Sequence, residues 1–218
     1  MVYLKKLINI LCVCFISFIV CSSSEQDTKL EGYLEGLMPV LSYEDMLQES
    51  ELIAEVKILK KLSIAEIKKD PAYYNGWDGN SFFEALIVED YKNTQMNGQK
   101  IVLKQLGNEK WRYENHPIFS VDEQFLLFLN KASVNNTISS IYYIVGFMDG
   151  TFDIEEYESK KYAKNRGREF NSLDEIKVKN ITGLKDTIKY SNKKYQSIFL
   201  LNDLKYKIKD TLKDGDKK

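Results

Sequence analysis

The chain contains little cysteine, proline, histidine or tryptophan: its 218 residues include three cysteines, three prolines, one histidine and two tryptophans. Cys12 and Cys14 lie inside an N-terminal apolar run, so Cys21 is the single cysteine of the rest. No disulfide can then close within the remaining chain, and one histidine cannot supply a three-ligand zinc site. We therefore expect a domain that folds by packing alone, without metal or cofactor.

Neither sign of charge dominates, because 31 lysines and arginines face 32 aspartates and glutamates, for a formal net charge of −1. Nucleic-acid-binding domains generally carry a basic excess, so no nucleic-acid partner is expected. The chain also lacks a phosphate-binding glycine loop, a paired metal motif and a nucleophile elbow. No motif therefore indicates catalysis, and no catalytic residue is assigned.

The one long apolar run, Leu7 to Val20, follows two lysines and ends at Cys21. This order is typical of a secretory signal, which we place at residues 1–20. At 1.5 Å per residue the run covers about 20 Å, less than the ~30 Å of hydrocarbon that a spanning helix must cross. An export signal is therefore favoured over a permanent transmembrane helix.

A signal that ends at a cysteine resembles that of bacterial lipoproteins, in which this cysteine receives a diacylglycerol. The resemblance implies that Cys21 is lipidated and holds the protein on the outer face of the cytoplasmic membrane, with residues 21–41 as a tether. Val20 stands where a small residue usually precedes the lipidated cysteine, so two alternatives remain open. One is cleavage near Ser22 to Ser24, which would make the protein secreted; the other is an uncleaved N-terminal anchor.

Residues 42–154 carry mainly β patterning after one short helix. Ser42, with an acid three residues later, predicts a helix start. Short apolar or alternating runs then predict strands near Leu52–Ile58, Phe82–Tyr91, Lys100–Gln105, Phe125–Leu129, Ile141–Phe147 and Thr151–Ile154. Two Gly-containing turns, Asn97-Gly98 and Asp149-Gly150, predict two hairpins, each joining consecutive strands.

Residues 155–218 are charged and are predicted to form a helical extension. A stripe at helical spacing consists of Ile198, Leu201, Leu204, Ile208 and Leu212. A further helix is expected near Ser172–Ile176 or Gly183–Ile188. The predicted fold class is mainly β with flanking helices (α+β): a five- to six-stranded barrel, a short N-terminal helix and C-terminal helices.

The strand sequences Ser-Glu-Leu-Ile-Ala-Glu-Val, Ile-Val-Leu-Lys-Gln-Leu-Gly and Gln-Phe-Leu-Leu-Phe-Leu, in this order after a helix, resemble secreted proteins and lipoproteins of Firmicutes. The resemblance implies an OB-type barrel over residues 42–154, similar in layout to the N-terminal domain of tissue inhibitors of metalloproteases. Those inhibitors place a free, disulfide-pinned amino-terminal cysteine on a protease zinc. Cys21 would be acylated and has no disulfide partner, so we expect the barrel without the inhibitory activity.

The segment Asp70 to Asn80 places three large aromatic side chains, Tyr73, Tyr74 and Trp77, among turn residues. Exposed rings can stack on sugars, so these three are the candidate ligand contacts for a cell-wall glycan or a surface protein. The alternative is that the rings cap one end of the barrel. We expect a non-catalytic binding or structural module whose oligomeric state the sequence does not indicate.

Three further groups have a functional and a structural interpretation. His116 is a candidate general base or a satisfied loop histidine. The acids Asp149, Asp153, Glu155 and Glu156 are candidate calcium ligands or solvated turn residues. The bases Lys160, Lys161, Lys164, Arg166 and Arg168 are a candidate membrane-facing patch or a solvated helix face. An extracellular carboxylate-based hydrolase is the alternative function, and it needs two acids facing each other at about 5 to 9.5 Å.

Overall fold

The computed structural model describes residues 41–68, 79–92, 95–109, 116–134, 137–167, 169–178 and 197–215. Three α-helices are α1 (Tyr43–Glu49), α2 (Ile64–Ile67) and α3 (Leu201–Gly215), and a 3₁₀ helix spans Asn171–Ile176. The strands are β1 (Leu52–Leu62), β2 (Asn80–Lys92), β3 (Lys100–Leu106), β4 (Gln124–Val134), β5 (Thr137–Ile144), β6 (Thr151–Tyr157), β7 (Lys160–Asn165) and β8 (Ile198–Leu200).

The eight strands belong to one large sheet in the order β1-β2-β3-β5-β4-β6-β7-β8, and β1 also pairs with β4. All pairs are antiparallel except β3 with β5. The mainly β class with a C-terminal helix is confirmed. The predicted count of five or six strands is wrong, because β7 and β8 lie in the C-terminal region that was expected to be helical.

Helix α1 begins where its capping residues predict. The Ser42 side chain accepts a hydrogen bond from the Asp45 N–H, and the Asp45 carboxylate accepts one from the Ser42 N–H. This reciprocal pair satisfies two amides that have no partner within the helix. Tyr43, Met46 and Leu47 are the buried side chains of α1, so its apolar face packs on the sheet.

The first predicted hairpin is confirmed. Strands β2 and β3 are antiparallel, and Gly98 in the connecting turn has a φ of +77°, which a glycine adopts without steric cost. The Asn97 side chain accepts a hydrogen bond from the Asp90 N–H, while the Asp90 carboxylate accepts two from the amides of Gln95 and Met96. These bonds hold the connection against the end of β2.

The second predicted hairpin is wrong, because β5 and β6 do not pair with each other. Both lie antiparallel along the edge of β4 that is opposite β1: Ile144 of β5 faces Leu129, and Thr151 of β6 faces Leu127. Phe128 between them donates to the Gly150 carbonyl and accepts from the Val145 N–H. Residues 145–150 therefore form a loop between β5 and β6, and both strands pair with the same edge of β4.

The charged run after β6 is a strand rather than the expected helix. Strand β7 pairs with β6 through a tight turn at Glu158 and Ser159, whose φ values are +47° and +59°. Alternation along β7 pairs Lys164 with Asp153 and Ala163 with Ile154. Acids of β6 thus pair with bases that the sequence pattern predicts to be solvated: Glu155 with Lys164, and Asp153 with Arg166.

Helix α3 confirms part of the predicted C-terminal stripe. Leu201, Leu204 and Ile208 are buried in it, and Leu212 packs against the same cluster. Ile198 lies in β8 instead. The 3₁₀ helix occupies one of the two places where a further helix was expected, and residues 183–188 lie outside the described residues.

Strand β4 separates two hydrophobic clusters. Phe125, Leu127 and Leu129 face the inner cluster, with residues of β1, β2 and β3, while Leu126 and Phe128 face the outer cluster, with α1 and α3. All five side chains are fully buried, as predicted for a core strand. Because β4 supplies side chains to both clusters, the packing inside the sheet and the packing of the helices on it both depend on this strand.

Candidate functional site

The outer face of β2, β3 and β5 carries the strongest candidate binding surface in the described part of the chain. Inner residues such as Phe83, Leu103 and Tyr142 alternate with outer ones. The strand registers set Phe82 beside Lys104, and Lys104 beside Tyr143. We call Phe82, Lys104 and Tyr143 the Lys104 row: they hold neighbouring register positions on three strands, with Phe82 buried against Ile67 and Ile141 and Tyr143 partly exposed.

Lys104 has no hydrogen-bond or ion-pair partner among the described residues. Its half-buried position lowers the pKa of the ammonium, and burial is the whole cause of the shift. Lys100, four residues earlier on the same face, instead donates to Glu84 at 2.9 Å. An ammonium has three N–H donors, and those of Lys104 remain free for a ligand.

Tyr143 of β5 faces Lys104, and Val102 is the next residue of β3 on the same face, whereas Leu86 and Val88 lie further along β2. Tyr143 is 41% exposed and Val88 is 44% exposed, while Leu86 and Val102 on the same face are half-buried. A flat ring with a polar tip beside a free ammonium can stack on a sugar ring and donate to its oxygens.

A second surface is an open cleft of about 320 Å³, lined mainly by acids. The lining side chains include Glu123 of the segment before β4, Asp153, Glu155 and Glu156 of β6, and Lys161 of β7. Burial raises the pKa of Glu123, against the opposing effect of a hydrogen bond from the Ser120 N–H.

Two of the candidate calcium ligands are engaged by bases. Asp153 accepts two hydrogen bonds of 2.8 Å from the Arg166 guanidinium, and Glu155 accepts one of 2.8 Å from Lys164. No group of three or more potential ligands gathers in the described part of the chain. These acids hold β7 against β6 in this structure.

The basic run is divided along the chain, with its first residues exposed and its later ones buried. Lys164 and Arg166 are buried, whereas Lys160 and Lys161 are exposed. The Arg166 guanidinium lies over the rings of Phe119 and Phe125, 5.3 and 5.0 Å from their centroids. A continuous membrane-facing patch or helix face is therefore wrong for the buried pair, and Arg168 lies outside the described residues.

His116 is fully buried, with its ring 4.5 Å from that of Phe147. Burial, and to a lesser degree the Arg166 charge, lower the pKa of His116 to about 3. Its Nε2 lies 3.0 Å from the Gln105 Nε2. A neutral imidazole enclosed in this way has no access to a substrate in solution, so the geometry favours the structural interpretation.

Cys21 and the aromatic residues Tyr73, Tyr74 and Trp77 lie outside the described residues, as do the signal and nearly all of the tether. The Lys104 row was missed by the sequence patterns. Lys104 and Lys100 both stand at polar positions of one alternating strand, and only the neighbouring strands distinguish them.

No family model, curated protein or solved structure matches this chain. Within the described ranges, no helix is both long enough and apolar enough to span a bilayer. The functional argument therefore depends on the geometry of the chain itself.

Proposed function

We propose that this chain is a non-catalytic, lipid-anchored cell-surface module that binds a cell-wall glycan. The observation that carries the proposal is the Lys104 row, in which a half-buried ammonium without a partner lies beside the exposed ring of Tyr143. Aromatic stacking and lysine hydrogen bonds suit a saccharide that carries hydroxyl or acidic groups. A surface protein is the other possible partner.

The barrel expected from the sequence is part of this proposal. Support comes from the pairings β1 to β2, β2 to β3, β3 to β5, β5 to β4 and β4 to β1, which lead back to the starting strand. In OB-type barrels the face of strands 2 and 3, with the loop joining strands 1 and 2, binds oligonucleotides and oligosaccharides. Here that face holds Lys104, and that loop holds Tyr73, Tyr74 and Trp77.

Binding of the mature protein to isolated cell walls and to soluble wall fragments tests the Lys104 row. We expect Tyr143→Ala and Lys104→Met each to weaken binding about 5- to 30-fold, which corresponds to roughly 1 to 2 kcal/mol. Tyr206→Ala on α3 is the matched control, because Tyr206 is 72% exposed but lies away from this face. Equal binding by all three variants would refute the proposed surface.

The aromatic loop is tested separately. Tyr74→Ala and Trp77→Ala should weaken binding by about 1 to 3 kcal/mol each with an unchanged melting temperature. A lower melting temperature without loss of binding would support the alternative that these rings, with Tyr73, cap the barrel.

Anchoring is tested by replacing the single cysteine outside the apolar run. Cells that express the Cys21→Ala variant and are grown with a clickable fatty acid should show no label on the protein, which should leave the membrane fraction. Label retained on the Ala variant would contradict lipidation and leave secretion or an uncleaved anchor.

The alternative function, a carboxylate-based hydrolase, has one observation in its favour: the cleft that joins Glu123 to Asp153, Glu155 and Glu156. A carboxyl with a raised pKa among other carboxyl groups is the arrangement that glycosidases use for acid catalysis. Incubating the protein with wall fragments and measuring new reducing ends tests it. Turnover that disappears in Glu123→Gln and survives in Tyr143→Ala would favour the hydrolase over the binding module.

A further inference from the structure

Strand β6 extends beyond the start of its neighbour β4. The last pair between the two strands joins Asp153 to Phe125, and β4 begins at Gln124. On its other side β6 stays paired with β7 as far as Tyr157. Residues 155–157 therefore have one edge without a strand neighbour in the part of the chain that the structure describes.

The backbone hydrogen bonds show which groups of β6 face this open edge. The Thr151 carbonyl accepts from the N–H of Arg166, which follows β7, whereas the carbonyl of Gly150, just before β6, accepts from the Phe128 N–H of β4. Successive residues of a strand direct their N–H and C=O groups to opposite sides, so the even-numbered residues of β6 face the β4 side. The N–H and C=O of Glu156 therefore point to where β4 has ended.

This open edge borders the acidic cleft of about 320 Å³. Residues 153–156 of β6 and residues 122–125, at the start of β4, both line the cleft. A strand can be added to a sheet where backbone groups are unpaired and where about 4.8 Å of space lies beside them. The end of β6 supplies the unpaired groups, and the cleft is the open space next to them.

The charges around the cleft favour a basic occupant. Three of the five acids that line it are paired with a base: Asp122 with Lys57, Asp153 with Arg166, and Glu155 with Lys164. Glu123 and Glu156 form no ion pair in the described part of the chain, although Lys161 lies opposite Glu156 in the register. Burial raises the pKa of Glu123, and a cation beside it would oppose that rise. Two carboxylates of the cleft are thus available to a ligand.

We propose that the open edge of β6 binds an extended, basic peptide segment of another protein as an added strand, with lysine or arginine side chains beside Glu123 and Glu156. In this mode of recognition the main-chain hydrogen bonds give affinity and the side chains give specificity. A second copy of this chain is a poorer occupant, because two β6 edges would bring like charges opposite each other. The site shares no residue with the Lys104 row and does not rest on the glycan proposal.

Titration of the ¹⁵N-labelled protein with the end-blocked peptide Lys-Val-Lys-Val-Lys tests strand addition. We expect the Glu156 amide signal to shift and its hydrogen exchange to slow about tenfold at saturation, because this N–H gains a partner. The same peptide with N-methylated internal amides keeps its charge but cannot pair as a strand, so it should bind about tenfold more weakly. Equal binding of the two peptides would mean that charge alone attracts them and would overturn the proposal.

The preference for a basic segment is tested with matched variants, whose unbound spectra also show that each is folded. The double variant Glu123→Gln, Glu156→Gln should weaken binding of Lys-Val-Lys-Val-Lys about 5- to 20-fold. Glu44→Gln, Glu49→Gln removes the same charge from exposed positions of α1 and should change binding less than about twofold. Equal losses in the two double variants would refute the site, as would equally tight binding of Glu-Val-Glu-Val-Glu or no binding of the basic peptide at about 1 mM.

Discussion

Two outer faces of the same sheet shift the pKa of a lysine in opposite directions. On the face covered by α3, Lys205 reaches the buried Glu55 and lies 2.9 Å from Glu89, and the Tyr91 hydroxyl donates to Glu55 at 2.7 Å. Burial by itself lowers the pKa of Lys205, but its hydrogen bonds to Glu55 and Glu89 outweigh this and raise it. On the other face Lys104 pairs with no acid in the described part of the chain, and burial lowers its pKa.

The difference shows that an adjacent acid decides whether the pKa of a lysine inside this fold is raised or lowered. Lys209 strengthens the covered face by a second contact with Glu89, at 3.1 Å, and both lysines lie over the Tyr91 ring. His116 extends the comparison, because it is buried beside the cation Arg166 and the lower pKa keeps it neutral. A paired base is part of the structure, whereas the unpaired, half-exposed Lys104 is available for binding.

The largest loss of stability is expected from a change in β4, because both hydrophobic clusters depend on this strand. Leu127→Ala removes a fully buried side chain from β4 and should lower the unfolding free energy by about 2 to 5 kcal/mol. Chemical denaturation measures it, with Val121→Ala as an exposed control. A loss well below 1 kcal/mol would show that the two clusters do not depend on the side chains of β4.

His116 should make stability depend on acid pH. Its pKa is about 3 in the fold and about 6.5 when unfolded. The unfolded chain therefore binds the proton first, and stability present above pH 6.5 is lost as the pH falls towards 3, by at most about 1.4 kcal/mol per pH unit.

Denaturation of the wild type and His116→Gln at pH 7.5, 6, 5 and 4 isolates this contribution, because the carboxylates titrate equally in both proteins. The difference between the two stabilities should shrink as the pH falls. A constant difference would mean that His116 is already protonated in the fold or exposed to solvent.

On the covered face, Lys205→Met should lower the unfolding free energy by roughly 1 to 3 kcal/mol, since Glu55 loses its cation while buried. The double variant Glu55→Met, Lys205→Met should recover most of the loss, because no charge is then left without a partner. Lys207→Met, which removes an exposed pair with Glu175, is the control. A double variant as unstable as the single one would argue against a direct Glu55–Lys205 interaction.

The smallest effect, and the sharpest contrast, is expected on the face that carries Lys104. Lys104→Met should leave the unfolding free energy within about 0.5 kcal/mol of the wild type or raise it, because it removes an ammonium that burial disfavours. The same chemical change at Lys205 is destabilising. A clear loss of stability in Lys104→Met would mean that Lys104 has a structural partner and would weaken its assignment to ligand binding.

Local signals predicted the elements whose cause is local. Ser42 and Asp45 form a capping box within one helical turn, and the run Phe125 to Leu129 is apolar on both faces because β4 has a cluster on each side. Strands β1 to β6 and the first hairpin follow from such patterns, whereas β7 and β8 do not. The burial of β1 on both faces does not follow from local patterns. Glu55 stands at a polar position of an alternating strand, and α3, about 150 residues later in the chain, buries it.

The failures arise where distant strands decide the outcome. Asp149-Gly150 is the same turn signal whether the chain reverses or resumes along β4, so the sequence could not exclude a hairpin. The lysines of β7 resemble a solvated surface until Asp153 and Glu155 are seen opposite them. Lys104 differs from Lys100 only in its neighbours on β2 and β5, so the candidate site required the structure.

The position of β4 also has a consequence for the order in which the chain folds. Strand β1 is synthesised first, yet one of its edges pairs with β4, more than sixty residues later. Until β4 emerges, β1, β2 and β3 form a meander with an open edge that can pair with other chains. Strands β5 and β6 then need β4 as their template. Folding should therefore be slow and dominated by contacts between distant segments, and a newly made chain is most prone to aggregate just before β4 is complete.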